Sequence, residues 1–517
     1  MTETANSGAQ RQTWTSNRGF ILAAIGSAVG LGNIWRFPGV AYDSGGGAFL
    51  IPYLIALVTA GLPILFLDYS IGQRFRGAAP LALRRLAKRA EVIGWFQTML
   101  LFIISVYYAA VIAWALSYFY FSFGNKWGSN TATFFVTDYL HRTEKAGVST
   151  DLVAGVAWPL AAVWVLIIVI LALGIANGVE KINVIGIPLL ILGFGALVIR
   201  AVTLPGATDG LNALFTPNWG ALTDLNVWIA AYSQIFFSMS IAFGIMIAYS
   251  SFQRRRANMT SSGLVVGFAN SSFEILAGIG VFSALGFLAN QQGVGMDKLE
   301  MSGPTLTFIT FPAVISEMPG SVLFGVLFFG SLVIAGFTSL VSLVVGVSIA
   351  VQEKFGLSQR TAAVAVGVVS AVVSFSLFAT TTGLWTLDTV DQYANNVGVV
   401  LSAIVMTVSV VWVARKGDLL RRHLNAISTF KLGRWWLVLI GIVGPIFLTV
   451  MLVQKVIDLI TDGYSGLPTW YLNVFGWGTV GLAVVGAILF TVASWGGRDD
   501  EDFHAWPSDE FLEGQKR

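Results

Sequence analysis

Two stretches of this 517-residue chain interrupt an aliphatic pattern with residues suited to ion binding. The first reads Gly26-Ser27-Ala28-Val29-Gly30-Leu31-Gly32-Asn33, and the second Phe237-Ser238-Met239-Ser240-Ile241-Ala242-Phe243-Gly244. Glycine in a helix interior costs about 1 kcal/mol, and serine competes for backbone hydrogen bonds. Both stretches are therefore candidates for local unwinding. An unwound turn frees carbonyl oxygens, which suit a hard cation such as Na+. The half-helix that follows presents free N–H groups and a positive dipole end to an anion. One such break holds a cation and a carboxylate side by side. The competing reading is close packing of helices through small residues.

Asn33, Asn270, Glu274, Thr338 and Ser339 also lie in apolar runs. A polar group inside a membrane span is costly and signals a functional site. Amide, hydroxyl and carboxylate oxygens again suit a hard cation. The chain has no cysteine, and His141, His423 and His504 fall in predicted loops or the tail. Thiolate and imidazole metal sites are thus excluded from the spans. A membrane enzyme is left without a convergent base and nucleophile there, and no sequence feature indicates nucleic-acid binding. A channel would need a continuous polar pore, which the aromatics around the second stretch oppose.

These residues must be held by membrane helices. The chain is 56% hydrophobic and 11% charged, against about 25% charged in soluble domains. The apolar material falls in runs of about 20 residues, enough to cross roughly 30 Å of hydrocarbon as helix. Twelve spans are predicted at 19–41, 48–72, 93–122, 156–176, 182–203, 226–252, 262–290, 320–351, 361–379, 391–414, 435–455 and 470–495. A further stretch, 303–318, is predicted as a helical external lid. Glycine and asparagine in the first run argue against a cleaved signal peptide. Lysine and arginine gather at Arg74–Arg89, Arg254–Arg256 and Arg415–Arg434. Read by the positive-inside rule, this places both termini in the cytoplasm and the protein in the inner (plasma) membrane as a multi-pass protein.

The two interrupted spans are the first and the sixth. Spans five apart head two five-helix units of opposite topology, and interrupted helices at matching positions of inverted repeats point to a transporter's binding site. The predicted organisation is a cytoplasmic segment 1–18, a first repeat 19–203, a second repeat 226–414, an accessory pair 435–495 and a cytoplasmic tail 496–517.

The stretch from Arg11 to Phe49, with Trp14, GSAVGLGNIWRFP and SGGGAF, resembles the first-helix signature of the neurotransmitter:sodium symporter family. Matching motifs follow at Tyr107-Tyr108, QIFFSMSIAFG, Asn270, AGFTSL and Asp388-x-x-Asp391, covering spans one to ten in order. The resemblance implies an all-α membrane fold of about twelve helices, the 5+5 inverted repeat with broken helices one and six known as the leucine-transporter fold. It implies a symporter, not an enzyme, working by alternating access.

It also implies residue roles. One Na+ site uses the Ala28 carbonyl, Asn33, Ser238 and Asn270 with the substrate's carboxylate; Ser238 stands where leucine-carrying members have threonine. The second uses the carbonyls of Gly26, Val29 and Ala335 with the hydroxyls of Thr338 and Ser339. Read without the family, hydroxyls inside a span more often bond the carbonyl four residues back. The substrate pocket involves Ser27, Ala28, Gly30, Gly32, Ile104, Tyr108, Phe237, Ser238, Ser240, Phe243, Ser339 and Leu343. The amides of Leu31 and Gly32 and the Tyr108 hydroxyl face the carboxylate, and Ile104, Phe243 and Leu343 line an apolar side. Monoamine-carrying members place an aspartate at the position of Gly30, so glycine here implies a substrate that brings its own carboxylate. No charged side chain in the set implies a neutral amino acid, small or medium and aliphatic, such as alanine, methionine or leucine. Ala242, in place of a glycine, hints at less room.

Arg36 and Asp391 resemble the outer gate, Arg11 and Glu353 the inner, with Trp14 and Ser251 nearby. Glu353 replaces an aspartate, and Phe252 a tyrosine, which implies a weaker inner gate. Asp68 matches a glutamate that caps freed amides of span six and, being shorter, is expected to need a water. Gly178 and Pro188 either let span five unwind or simply punctuate it. Glu274 stands where chloride-dependent members have serine, with Tyr53, Gln234 and Ser238 retained around it. A carboxylate there implies transport without chloride, and a proton carried on the empty return step.

Overall fold

The computed structural model describes residues 13–299, 303–496, 503–508 and 511–512. Among them there is no strand, only two isolated bridges. Nine helices are long and apolar enough to cross a bilayer, and the bent pair Asn17–Ala28 and Gly32–Asp43 makes a tenth. One of the nine, Ala154–Ala201, is 48 residues long. As a straight helix it would reach about 72 Å, more than twice the bilayer core. The chain reverses instead at Gly174, whose φ is 85°. A Cβ on Gly178 would lie 2.1 Å from the Ile170 carbonyl oxygen, eight residues back, a separation of about 12 Å along a straight helix. Span four is thus Ala154–Gly174 and span five Lys181–Ala201, with Pro188 inside the latter.

Span six is the pair Leu225–Ser238 and Ile245–Ser251, too interrupted to register as one apolar rod. The remaining spans are two (Gly47–Phe75), three (Lys88–Gly124), seven (Met259–Gln292), eight (Ser321–Phe355), nine (Gln359–Phe378), ten (Gly383–Val413), eleven (Trp435–Thr461) and twelve (Thr469–Val492). Twelve crossings result among the described residues. Span ten begins eight residues before the predicted 391, so Asp388 and Asp391 lie within it. The 303–318 lid is present as Gly303–Thr305, Leu306–Thr310 and Phe311–Glu317. Short helices missing from the sequence reading join the spans at Ala79–Leu86, Ala207–Phe215 and Gly417–Ile427.

The breaks in spans one and six are where the small residues predict them. Span one bends by 50° between its halves, and Val29 is extended with ψ 99°. In span six, Ser240, Ala242 and Gly244 have φ of 52°, 63° and 97°. An alanine in the left-handed region costs roughly 1–2 kcal/mol, so this turn needs support from outside. Asp68 of span two accepts the Ala242 N–H at 2.9 Å. Gln97 Nε2 of span three and Ser402 Oγ of span ten donate to the Ala242 carbonyl at 3.0 and 2.6 Å. Asp68 therefore reaches the freed amide directly, contrary to the expectation that its shorter side chain needs a water.

Spans three and eight pack extensively on each other, and the second half of span six, Ile245–Ser251, packs on span two. Around this bundle, side chains such as Leu166, Ile185, Leu192 and Leu489 are exposed, an apolar belt facing lipid.

Candidate functional site

The two breaks open on one cavity of about 280 Å³. All twelve residues of the predicted substrate set line it: Ser27, Ala28, Gly30, Gly32, Ile104, Tyr108, Phe237, Ser238, Ser240, Phe243, Ser339 and Leu343. The Leu31 N–H, at the start of the second half of span one, donates to the Tyr108 hydroxyl at 3.1 Å. Ser240 Oγ donates to the Ser27 carbonyl at 3.0 Å, tying the two breaks together. A Cβ on Gly30 would meet Ser339 Oγ and the Tyr108 hydroxyl, each at 2.8 Å, and one on Gly32 would meet the Phe237 ring at 2.1 Å. The floor is therefore closed to any side chain at position 30 unless these hydroxyls shift.

The residues of the first predicted cation site converge. Asn33 Oδ1 accepts the Gly30 N–H at 2.9 Å. Asn33 Nδ2 donates to Asn270 Oδ1 at 2.8 Å, and Asn270 Nδ2 to Ser238 Oγ at 3.0 Å. Ala28, the last residue of the first half-helix, lines the cavity beside them. The three side chains are buried, and their oxygens together with a freed carbonyl form a donor set suited to Na+.

One turn beyond Asn270, Glu274 is fully buried. It receives the Tyr53 hydroxyl, Gln234 Nε2 at 2.5 Å, and Ser238. A carboxylate with three donors, and with the predicted cation site within one turn, satisfies the rule that buried charges are hydrogen-bonded or paired.

At the second predicted site the two hydroxyls behave differently. Ser339 Oγ points across to span one, 3.0 Å from the Gly26 carbonyl, 3.3 Å from Ser27 and 3.4 Å from Val29. Thr338 Oγ1 donates within its own helix to Ile334 and Ala335 at 3.0 and 3.1 Å. This is the intrahelical bond that span hydroxyls commonly make. It leaves the lone pairs of Thr338 free to ligate, beside the Ala335 carbonyl of the same predicted site.

Residues 11–149 and 125–495 match the model of the sodium:neurotransmitter symporter family. The chain is also 40% identical over 491 residues to an uncharacterized sodium-dependent transporter of Methanocaldococcus jannaschii, covering 94% of this chain and 99% of the relative. The chain belongs to the sodium:neurotransmitter symporter family. It is a multi-pass membrane protein and a sodium-dependent symporter, and the members of its family are transporters, not enzymes.

In this symporter the cavity extends from the breaks to Arg36, Asp43, Asp388, Asp391 and the lid residues Gly303 and Pro304. The outer pair is not joined. Arg36 stacks on the Phe237 ring at 4.4 Å and donates to Ser233 and Asn396 at 3.2 and 3.4 Å. Asp391 accepts from the Tyr107 hydroxyl at 2.6 Å and from Asn395 at 2.8 Å. The expected Arg36–Asp391 contact is thus replaced by separate partners, and Arg36 reaches span ten through Asn396 instead of Asp391.

The opposite end is sealed. Trp14 is buried, donates Nε1 to the Tyr249 carbonyl at 2.9 Å and its N–H to the Phe252 carbonyl at 3.2 Å. Ser251 bonds within its own helix. Glu353 accepts the Ala78 N–H at 2.8 Å; its predicted partner Arg11 lies outside the described residues. Sequence reasoning missed Glu180, at the start of span five. It accepts the Thr15 N–H at 2.8 Å and the hydroxyls of Thr15 and Ser16, holding the entry of span one. The signal was present as an unassigned carboxylate beside Gly178, but its partners are some 165 residues away.

Proposed function

We propose that this symporter imports a neutral amino acid with Na+, by alternating access and without chloride. The observation that carries the reading is the cavity floor. A half-helix N-terminus, the Tyr108 hydroxyl and a cluster of amide oxygens surround Gly30, where a side chain would have to displace the Ser339 and Tyr108 hydroxyls. Such a floor suits a ligand that supplies its own carboxylate, shared between the Leu31 region and a Na+ held by Ala28, Asn33, Ser238 and Asn270. The second Na+ belongs between Gly26, Val29, Ala335, Thr338 and Ser339. Ile104, Phe243 and Leu343 offer only apolar surface to the substrate side chain, which favours alanine, methionine or leucine. Glu274 supplies the fixed negative charge that makes a mobile anion unnecessary.

In this scheme Arg36 and Asp391 approach over the loaded site, and Arg11 with Glu353 guards the other side. The basic loops favour a cytoplasmic position for that other side and for both termini, with the protein in the plasma membrane. Two Na+ moving with a zwitterion carry two charges, about 4.6 kcal/mol per 100 mV at about 2.3 per charge.

Proteoliposomes with an imposed Na+ gradient and a panel of the twenty amino acids test this. Saturable accumulation of one or a few neutral amino acids in Na+, and none under a K+ gradient, is the expected result. Equal uptake in K+ would refute it.

A further inference from the structure

Asn183, in the first turn of span five, is fully buried. Its Nδ2 donates to the Val179 carbonyl at 2.8 Å. That bond fixes which end of the amide is which, because a reversed amide would set two carbonyl oxygens against each other. The other end, Oδ1, has no hydrogen-bond partner among the described residues. It faces span one. A Cβ on Gly26 would lie 2.0 Å from Asn183 Oδ1, so the glycine is what lets the amide oxygen come up against that helix. A buried amide oxygen left unpaired costs about 1–3 kcal/mol, and a polar group inside a span signals a function.

The residues beside this oxygen carry the second predicted Na+ site. Ser339 Oγ of span eight meets the Gly26 carbonyl at 3.0 Å. One turn further along span five, a Cβ on Gly186 would lie 3.4 Å from Thr338 Cγ2 and 3.3 Å from Ile334 Cγ2. Spans one, five and eight pack on one another in all three pairs. Asn183 therefore stands where three helices meet, next to predicted ligand residues on two of them. Ile187, which also approaches Gly26, offers no donor. Glu180, one turn earlier, is already committed to Thr15 and Ser16.

We propose that Asn183 Oδ1 is a ligand of the second Na+, supplied by span five in addition to the five oxygens from spans one and eight. An amide oxygen suits a hard cation, and the ion gives this one the partner that the protein withholds. Bound there, Na+ ties span five to spans one and eight. Its departure leaves Oδ1 unpaired again and weakens the junction of the three helices. The proposal rests on the reading of the second Na+ site and adds to it a residue and a helix.

Equilibrium binding of radioactive Na+ to the purified full chain, without amino acid, tests this. Asn183→Ala is expected to raise the half-saturating Na+ concentration about five- to tenfold, the scale of one lost oxygen ligand. Asn183→Asp should restore or tighten binding, because a carboxylate attracts the cation more strongly than an amide does. A packing role gives the opposite order. Alanine would then be harmless, since it deletes an unpaired oxygen, and aspartate would be worse, since it buries a bare charge. Melting temperatures in Na+ and in K+ check that each variant is folded, and the rise produced by Na+ should shrink in Asn183→Ala. The alanine effect should be non-additive with Ser339→Ala, which touches the same ion, and additive with Asn33→Ala, which belongs to the other site. That comparison decides the matter if the aspartate variant does not fold. Wild-type Na+ binding in Asn183→Ala, or an aspartate variant weaker than the alanine one, would overturn the ligand and leave the transport reading intact. A wild type that binds no Na+ without substrate would instead remove the second site, and this ligand with it.

Discussion

Ser339 on span eight directs its hydroxyl at the Gly26 carbonyl of span one, 3.0 Å away, while its neighbour Thr338 bonds to its own helix. The two residues are therefore unequal members of the second predicted Na+ site. Losing one well-placed hydrogen-bonding oxygen costs about 1–1.5 kcal/mol, roughly a tenfold change in affinity. Ser339→Ala is expected to raise the Na+ concentration for half-maximal uptake by about that factor, and Thr338→Val by only about two- to threefold. A Na+ titration of uptake for both variants decides it, and the reverse order would show that Thr338 turns away from its helix to ligate.

Gly30 is the residue expected to set the substrate class. Gly30→Ala places a methyl group 2.8 Å from both Ser339 Oγ and the Tyr108 hydroxyl. Displacing either disturbs the carboxylate corner, so substrate binding should weaken by about tenfold or more. Decarboxylated analogues should compete poorly in the wild type, because they leave the Leu31 amide and one Na+ under-ligated. Displacement of a bound radiolabelled amino acid measures both, and an amine that competes as well as its parent acid would argue against the assignment.

Uptake by the wild type should be the same in chloride and in gluconate. Glu274→Ser removes the carboxylate that Tyr53 and Gln234 hold and leaves their donors facing an uncharged pocket beside Asn270. That variant should become chloride-stimulated. A chloride requirement in the wild type, or a serine variant fully active without chloride, would remove Glu274 from this role.

His423, in the Gly417–Ile427 helix outside the spans, is buried against Gln73 with its Nε2 3.2 Å from Oε1. Burial, then the nearby charges of Arg74 and Arg76, push its pKa down to about 3. The fold thus holds the neutral ring, while the unfolded chain takes up a proton near the ordinary value of about 6.5. The unfolded state binds more protons between these two values, so this group's stabilisation is complete above about pH 6.5 and is lost progressively as pH falls toward 3. Melting temperatures at pH 7 and pH 5 should differ more for the wild type than for His423→Gln. An identical shift in both would show that the histidine does not contribute.

Much of this architecture is legible in the sequence because it follows from local composition. Apolar runs of about 20 residues mark the spans, and the glycine–serine clusters at 26–33 and 237–244 mark the breaks. The cavity-lining set was legible through motif resemblance, since single apolar residues such as Ile104 or Leu343 look like ordinary core. What stays hidden depends on partners distant in the chain. Ala242 reads as a question of room, yet its left-handed backbone is held by Asp68, Gln97 and Ser402, each about 145–175 residues away. Glu180 reads as one more charge at a span entry until Thr15 is brought to it. The helices Ala79–Leu86 and Gly417–Ile427 read as charged loops, because their apolar faces are short and find cover only against distant spans, chiefly two and three for the first and two, seven and eleven for the second. Arg36 resembles one half of a gate pair, but Phe237 and Ser233 of span six and Asn396 of span ten engage it in place of Asp391.

The three supports of Ala242 also have an order in time. During synthesis Asp68 and Gln97 are already made when the break in span six emerges, whereas Ser402 follows 160 residues later. At about 5–20 residues per second, that last support arrives roughly 8 to 30 seconds afterwards. Spans two and three are thus already available to support the break when span six is made. Span one has no such predecessor: its Gly26 carbonyl waits 313 residues for Ser339. A permuted chain that began at the second repeat would insert span six with none of its supports yet made, and its unwound turn would meet lipid with bare amides. The order of the two halves is therefore itself part of how this membrane protein reaches its fold.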